Sequence, residues 1–146
     1  MRFAYRGSVS AILIADDDAG IVSLLKLLVE RAGFPVDIAR DGQQAIQKLG
    51  SGSYVLLLLD LQMPRFNGFD VIEYLKEQSK RPMVLVVTAL PPSQLAHIDP
   101  AVVHAVIRKP FDVELLASII SSTAGMMAAG GPVPDDVRRD SQRLSN

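Results

Sequence analysis

The stretch LLLLDLQMPRFNG, residues 56–68, runs four leucines into an aspartate and then into a proline, an asparagine and a glycine. A short, unbroken apolar run of this kind suits a strand buried on both faces of a sheet, and the residues after it are turn formers. The aspartate between them, Asp60, has two readings. It is a turn or cap residue, or it is a reactive carboxylate mounted at the end of a buried strand. The second reading requires partners elsewhere in the chain.

Outward from residues 54–60, similar runs occur at 11–15 (AILIA), 35–39 (PVDIA), 83–89 (MVLVVTA) and 104–108 (HAVIR), each bounded by Gly, Pro, Ser or Asp. They predict five strands. The intervening segments have helical spacing. In AGIVSLLKLLVERAG, Ile21, Leu25, Leu28 and Ala32 form a stripe and Gly33 offers a left-handed C-terminal cap, while Asp41 and Asp112 can cap the helices that follow them. Strand and helix alternate, which predicts an α/β fold: a doubly wound parallel sheet of five strands with helices on both faces. Ligands of such sheets bind at the carboxyl ends of the strands.

Those ends hold the partners. The first strand ends in Asp16, Asp17 and Asp18, the third in Asp60, the fourth in Thr88, and the fifth in Lys109 before Pro110. If the first and third strands are neighbours, Asp16, Asp17 and Asp60 converge, and like charges that close call for a cation. An oxygen-only donor set without His or Cys points to Mg²⁺. Each residue alone has a plainer explanation: a helix-dipole partner, a turn, a buried hydroxyl, a strand exit. Their meeting on one sheet edge is harder to explain that way.

Composition narrows the classes. In 146 residues the chain has 49% hydrophobic and 21% charged residues, which argues against disorder; its 15 basic and 16 acidic residues give no global field for nucleic acid or an anionic membrane. No cysteine is present, so disulfides, thiolate metal sites and cysteine nucleophiles are excluded, and a cytoplasmic location is expected. The N-terminal apolar run is too short for a signal peptide, and no segment reaches the length of a membrane span. Residues 10–124 read as one domain and residues 125–146, rich in Gly, Pro and mixed charge, as a flexible tail or linker.

ILIADDD, LLLLDLQMPRFNG, VVTA and RKPF, in this order and spacing, resemble the receiver domain of two-component response regulators. The motif Asp-x-x-Met-Pro-x-x-Asn-Gly is matched by Asp60, Met63, Pro64, Asn67 and Gly68. The resemblance implies a flavodoxin-like receiver fold of strand order 2-1-3-4-5, with Asp60 as the phosphoacceptor for a sensor histidine kinase or phosphotransfer protein. It implies Mg²⁺ held by Asp17, Asp60 and the backbone carbonyl of Gln62, with Asp16 acting through water. Lys109 would pair with Asp60 and then with its phosphate, and Thr88 would donate its hydroxyl to a phosphate oxygen. The first helix would meet the phosphodonor through Ile21, Val22 and Leu25. The protein would not be an enzyme beyond self-phosphorylation from small donors and slow self-dephosphorylation.

Two features depart from the family pattern. Val106 stands where receivers carry Tyr or Phe three residues before the lysine, which puts an aromatic switch in doubt. Pro91, Pro92 and Pro100 confine any fourth helix to about residues 92–98. His97 and His104 flank that segment and are expected to lie in solvent or loop rather than to carry function. The output would then be a protein effector or a second copy of the chain, without nucleic-acid contact by this chain. Two other classes compete: a receiver-like binding module that works without phosphate, and a haloacid-dehalogenase-like phosphatase with Asp16 as nucleophile. Gly20 sits where the phosphatase motif expects Thr or Val, and that reading leaves the Asp60 motif unexplained.

Overall fold

The computed structural model describes residues 11–128. Five strands, β1 (Ala11–Ala15), β2 (Val36–Ala39), β3 (Tyr54–Leu59), β4 (Met83–Thr88) and β5 (Ala105–Arg108), alternate with helices α1 (Ala19–Arg31), α2 (Gly42–Ser51) and α3 (Gly68–Lys76), and α4 (Val113–Ala128) follows β5. All pairings are parallel, as the strand and helix alternation predicts, and the order is β2-β1-β3-β4-β5, as the resemblance implies. β3 is central, and Leu56 to Leu59 have at most 1% of their surface exposed.

The alternation of side chains along the strands divides the core in two. Ile12, Ile14, Leu56, Leu58, Leu85 and Ile107 face α1 and α4. Leu13, Ala15, Leu57, Leu59, Val84 and Val86 face α2, α3 and the segment after β4. Both layers cover β3 and β4, which is why Leu56–Leu59 and Met83–Val87 are apolar in unbroken runs rather than alternating.

The helix starts follow the local chemistry. Asp18 caps α1, accepting from the Gly20 and Ile21 amides at 2.9 and 3.2 Å. Asp41 caps α2 through the Gln44 amide, and Asp112 accepts from the Leu115 amide at the start of α4. Asn67 and Asp70 form a reciprocal capping box on α3. Gly33, with φ +90°, ends α1 in the left-handed region. α4 continues through Gly125 to Ala128, and the remainder of the expected tail lies outside the described residues.

Between β4 and β5 the prolines leave less helix than residues 92–98 could hold. Only a 3₁₀ turn, Pro92–Gln94, forms, preceded by Pro91 without a side-chain cap. The segment still closes the core through Leu90, Leu95 and Ile98. None of the described helices is long and apolar enough to cross a membrane.

Candidate functional site

β1 and β3 are adjacent, with Ala15 beside Leu59, so Asp16 and Asp60 leave the sheet side by side. Asp16, Asp17 and Asp60 each bring a carboxylate oxygen within 4.8 Å of the others. Asp16 and Asp60 are buried, at 1% and 6% exposure, and Asp17 is exposed. Asp18 belongs to the cap of α1 and not to this cluster.

Lys109, carried one residue past β5, donates from Nζ to Asp16 Oδ2 at 3.0 Å and to Asp60 Oδ2 at 3.2 Å. The sequence reading paired it with Asp60 alone; it bridges both. The Asp18 amide donates to the other Asp16 oxygen, and the Gln62 amide to Asp60 Oδ1 at 3.3 Å. Burial pushes the Asp16 carboxyl above the ordinary aspartate range, against the lowering effects of the Asp18 amide and Lys109. Burial also opposes the charge on Lys109, but its bond to Asp16 and the nearby Asp60 outweigh it, and Lys109 sits above the ordinary lysine range.

The site is therefore two desolvated carboxylates sharing one counter-ion, with a third carboxylate at the solvent edge. The donor set fits a hard divalent cation such as Mg²⁺: all oxygen, anionic and open on one side. The depression beside it, about 590 Å³, is lined by Asp17, Gln62, Pro64, Asn67, Leu90 and Gln94 among others. Among the described residues no hydrogen bond takes the Gln62 carbonyl oxygen.

Lys109→Met is expected to destabilise the metal-free protein at neutral pH by about 3–5 kcal/mol, because two buried carboxylates lose the one cation that pairs with them among the described residues. The deficit should shrink with millimolar MgCl₂ and at acid pH, where Asp16, held above the ordinary aspartate range by burial, gives up its charge. Urea melts with and without Mg²⁺ check this; an equal deficit in all conditions would mean that lost packing, not charge, is responsible.

Thr88 is fully buried at the end of β4, and its Oγ1 accepts from the Leu90 amide at 3.2 Å. The structure does not place it in a hydrogen bond with Asp60. Val106 is half-buried against the layer that holds Leu90. His104 Nδ1 accepts from the Val84 amide at the far end of β4, a structural role, and His97 is exposed.

The docking surface expected on α1 needs correction. Of the three residues expected there, Val22 and Leu25 are 3% and 1% exposed and belong to the core with Leu28 and Val29, while Ile21 is partly exposed; the exposed apolar side chain is Leu27, at 50%, with Leu24 partly exposed. The stripe Ile21, Leu25, Leu28 and Ala32 read from the spacing does face the core, which is why its members could not also serve as the docking surface.

The loop from Asp60 to α3 holds what the sequence did not reveal. Arg65 and Phe66 have φ of 45° and 68°, successive left-handed residues that are not glycine and that cost about 1–2 kcal/mol each. Two devices hold them. The Arg65 guanidinium donates from Nε and Nη2 to Asp41 Oδ2 at 3.0 and 2.8 Å. The Pro64 and Arg65 carbonyls accept from the Gly42 and Gln43 amides at 3.4 and 2.9 Å. A Cβ on Gly42 would lie 1.8 Å from the Phe66 carbonyl oxygen, and one on Gly68 2.4 Å from the Asp60 carbonyl oxygen, so both positions need glycine.

Comparison with known proteins agrees with this architecture. The profile of the response regulator receiver domain family matches residues 12–121. The transcriptional regulatory protein CpxR of Escherichia coli K12 is 42% identical over 78 residues, covering 53% of this chain and 33% of CpxR. The response regulator ArlR of Staphylococcus saprophyticus is 32% identical over 114 residues, covering 76% of this chain and 51% of ArlR. The chain thus spans between a third and half of the length of these relatives. The response regulator TrrA of Thermotoga maritima, solved with Mg²⁺ and BeF, superposes with TM-score 0.69 at 26% identity, over 79% of this chain and 99% of that one. A CheY-like receiver domain from Methanospirillum hungatei shares the fold, with TM-score 0.74 at 24% identity over 84% of this chain and 99% of its own.

Proposed function

Because the chain belongs to the response regulator receiver domain family of two-component systems, we propose that Asp60 is its phosphoacceptor and that Asp17, Asp60 and the Gln62 carbonyl hold Mg²⁺, with Asp16 bound to it through water. The observation that carries this reading is the buried Asp16–Lys109–Asp60 bridge beside exposed Asp17. Such a site stores a reactive carboxylate next to both of the charges that phosphoryl transfer needs.

Asp60 attacks phosphorus with a carboxylate oxygen. A new P–O bond forms, and the donor bond breaks: P–N for a phosphohistidine, P–O for acetyl phosphate. The leaving imidazole or acetate takes the electron pair. Bound Mg²⁺ would offset charge on the phosphoryl oxygens. Lys109 moves from the Asp60 carboxylate to a phosphate oxygen while keeping Asp16. Because a hydroxyl donates and accepts at once, Thr88 would donate to the phosphate while its Oγ1 still accepts from the Leu90 amide, which ties the event to the segment after β4.

The donor would be a histidine kinase or phosphotransfer protein meeting the Leu24–Leu27 side of α1, and the output a protein effector or a second copy. Balanced charge supports protein contact rather than nucleic-acid contact by this chain. CpxR is a transcriptional regulator, but over a length about three times the matched part. Turnover would be limited to self-phosphorylation from small donors and slow self-dephosphorylation, in the cytoplasm. Family membership removes the phosphatase alternative.

The test is chemical mapping. After incubation with Mg²⁺ and acetyl phosphate, borohydride reduction of an aspartyl phosphate leaves homoserine at the labelled position. Homoserine at position 60 is expected; homoserine at 16 or 17 would overturn the assignment, and no label at any position would favour a receiver-like module that works without phosphate.

A further inference from the structure

The Asp41–Arg65 pair lies outside the phosphoacceptor chemistry, yet it ends on the loop that supplies the Gln62 carbonyl. That loop is held at both ends. At the start, the Gln62 amide is bound to Asp60 and the Gly68 amide to the Leu61 carbonyl. At the far end the side chain that ties it down is Arg65, gripping one oxygen of Asp41 with two donors. Asp41 is itself fixed, since its other oxygen caps α2 through the Gln44 amide and the residue is 2% exposed. The anchor is therefore rigid, and the loop lies on it so closely that Gly42 admits no Cβ.

We propose that the Asp41–Arg65 clasp is a positioning device for the metal site: by holding the left-handed residues Arg65 and Phe66 on the start of α2, it fixes the loop from residue 62 onward and with it the Gln62 carbonyl relative to Asp17 and Asp60. The proposal rests on the reading of Gln62, Asp17 and Asp60 as the Mg²⁺ ligands. Neither member of the clasp belongs to the candidate ligand set. Their part is that of outer residues that orient ligands, where loss typically weakens metal binding by about tenfold or more. An Arg is suited to the task because its fork holds one carboxylate oxygen with two donors, and a Lys could not reproduce that.

The test is titration of the full chain with MgCl₂, followed by backbone amide shifts of residues 17 and 60–62. Arg65→Ala and Asp41→Asn, the latter keeping a side-chain oxygen for the α2 cap, should each weaken Mg²⁺ binding about tenfold. The double variant should be no weaker than either single one, because both changes open the same clasp. Acetyl phosphate labelling at saturating MgCl₂ should be near wild type in all three, which a general loss of fold would not allow. Single variants that bind Mg²⁺ as tightly as wild type, or effects that add in the double variant, would overturn the clasp while leaving the phosphoacceptor reading intact. Absence of Mg²⁺ binding and of label in the wild-type protein would instead overturn that reading, and the clasp with it.

Discussion

Asp60→Asn is expected to abolish the phosphoryl label from acetyl phosphate completely while leaving the fold at least as stable as wild type. The carboxamide oxygen is a far poorer nucleophile than a carboxylate, and no other described carboxylate ends a strand opposite Asp16 and Asp17 within reach of Lys109. Stability goes the other way. Asp16 and Asp60 are buried beside each other with a single lysine between them, so removing one negative charge relieves repulsion that Lys109 only partly offsets. A gain of about 1 kcal/mol in the metal-free protein, together with the loss of most Mg²⁺ binding, is the expected signature, read by intact mass, urea melts and MgCl₂ titration. Persistent label would place the acceptor elsewhere. A large loss of stability would mean that the Asp60 contacts hold the fold more than they store charge.

The second large effect separates core from surface on α1. Val22→Glu would remove a buried apolar side chain, worth about 1.5–3 kcal/mol, and put a carboxylate in its place at a further cost of several kcal/mol. The sum is comparable to the whole stability of a domain, about 5–15 kcal/mol. The variant should lose its cooperative thermal transition, and labelling from every phosphodonor with it. Leu27→Glu, half-exposed, should change stability by no more than about 0.5 kcal/mol and should spare acetyl phosphate labelling, yet slow transfer from a kinase about tenfold if this side of α1 docks the donor. Kinase transfer at the wild-type rate in Leu27→Glu would remove α1 from the docking surface.

These two variants also mark where the sequence was legible. The strands could be read because each is a short apolar run with turn residues at both ends, and a strand buried on both faces needs no register to be recognised. Their polar ends then fell together, since parallel order places every carboxyl end on one edge; this put Asp16, Asp17, Asp60 and Lys109 in one site before any coordinates. The core stripe of α1, Ile21, Leu25, Leu28 and Ala32, was legible from its spacing, but the docking face was not, because Val22 and Leu25 were asked to serve it as well and packing buries both. The Asp41–Arg65 clasp joins residues 24 positions apart through a left-handed turn that no glycine announces. Asp41 had a sufficient local role as a cap, which concealed its second one. Thr88 was recognised as a strand-end hydroxyl, but its bond to the Leu90 amide depends on the irregular path that the prolines impose after β4.

The parallel order of the sheet has a consequence for how the chain acquires its reactivity. No strand pairs with its neighbour through a tight hairpin: Ile12 lies beside Leu56, and Leu56 beside Met83, each joined only after a crossover has been made. The bridge between Asp16 and Lys109 spans 93 positions, so it closes only when the last strand is in place. Loop closure of that length comes late, after the local helices and the first pairings. A chain truncated or stalled before β5 would carry Asp60 without the cation that completes its surroundings. Reactivity thus doubles as a certificate of completed folding, issued when side chains from the ends of the first and last strands meet at the carboxyl edge of the sheet.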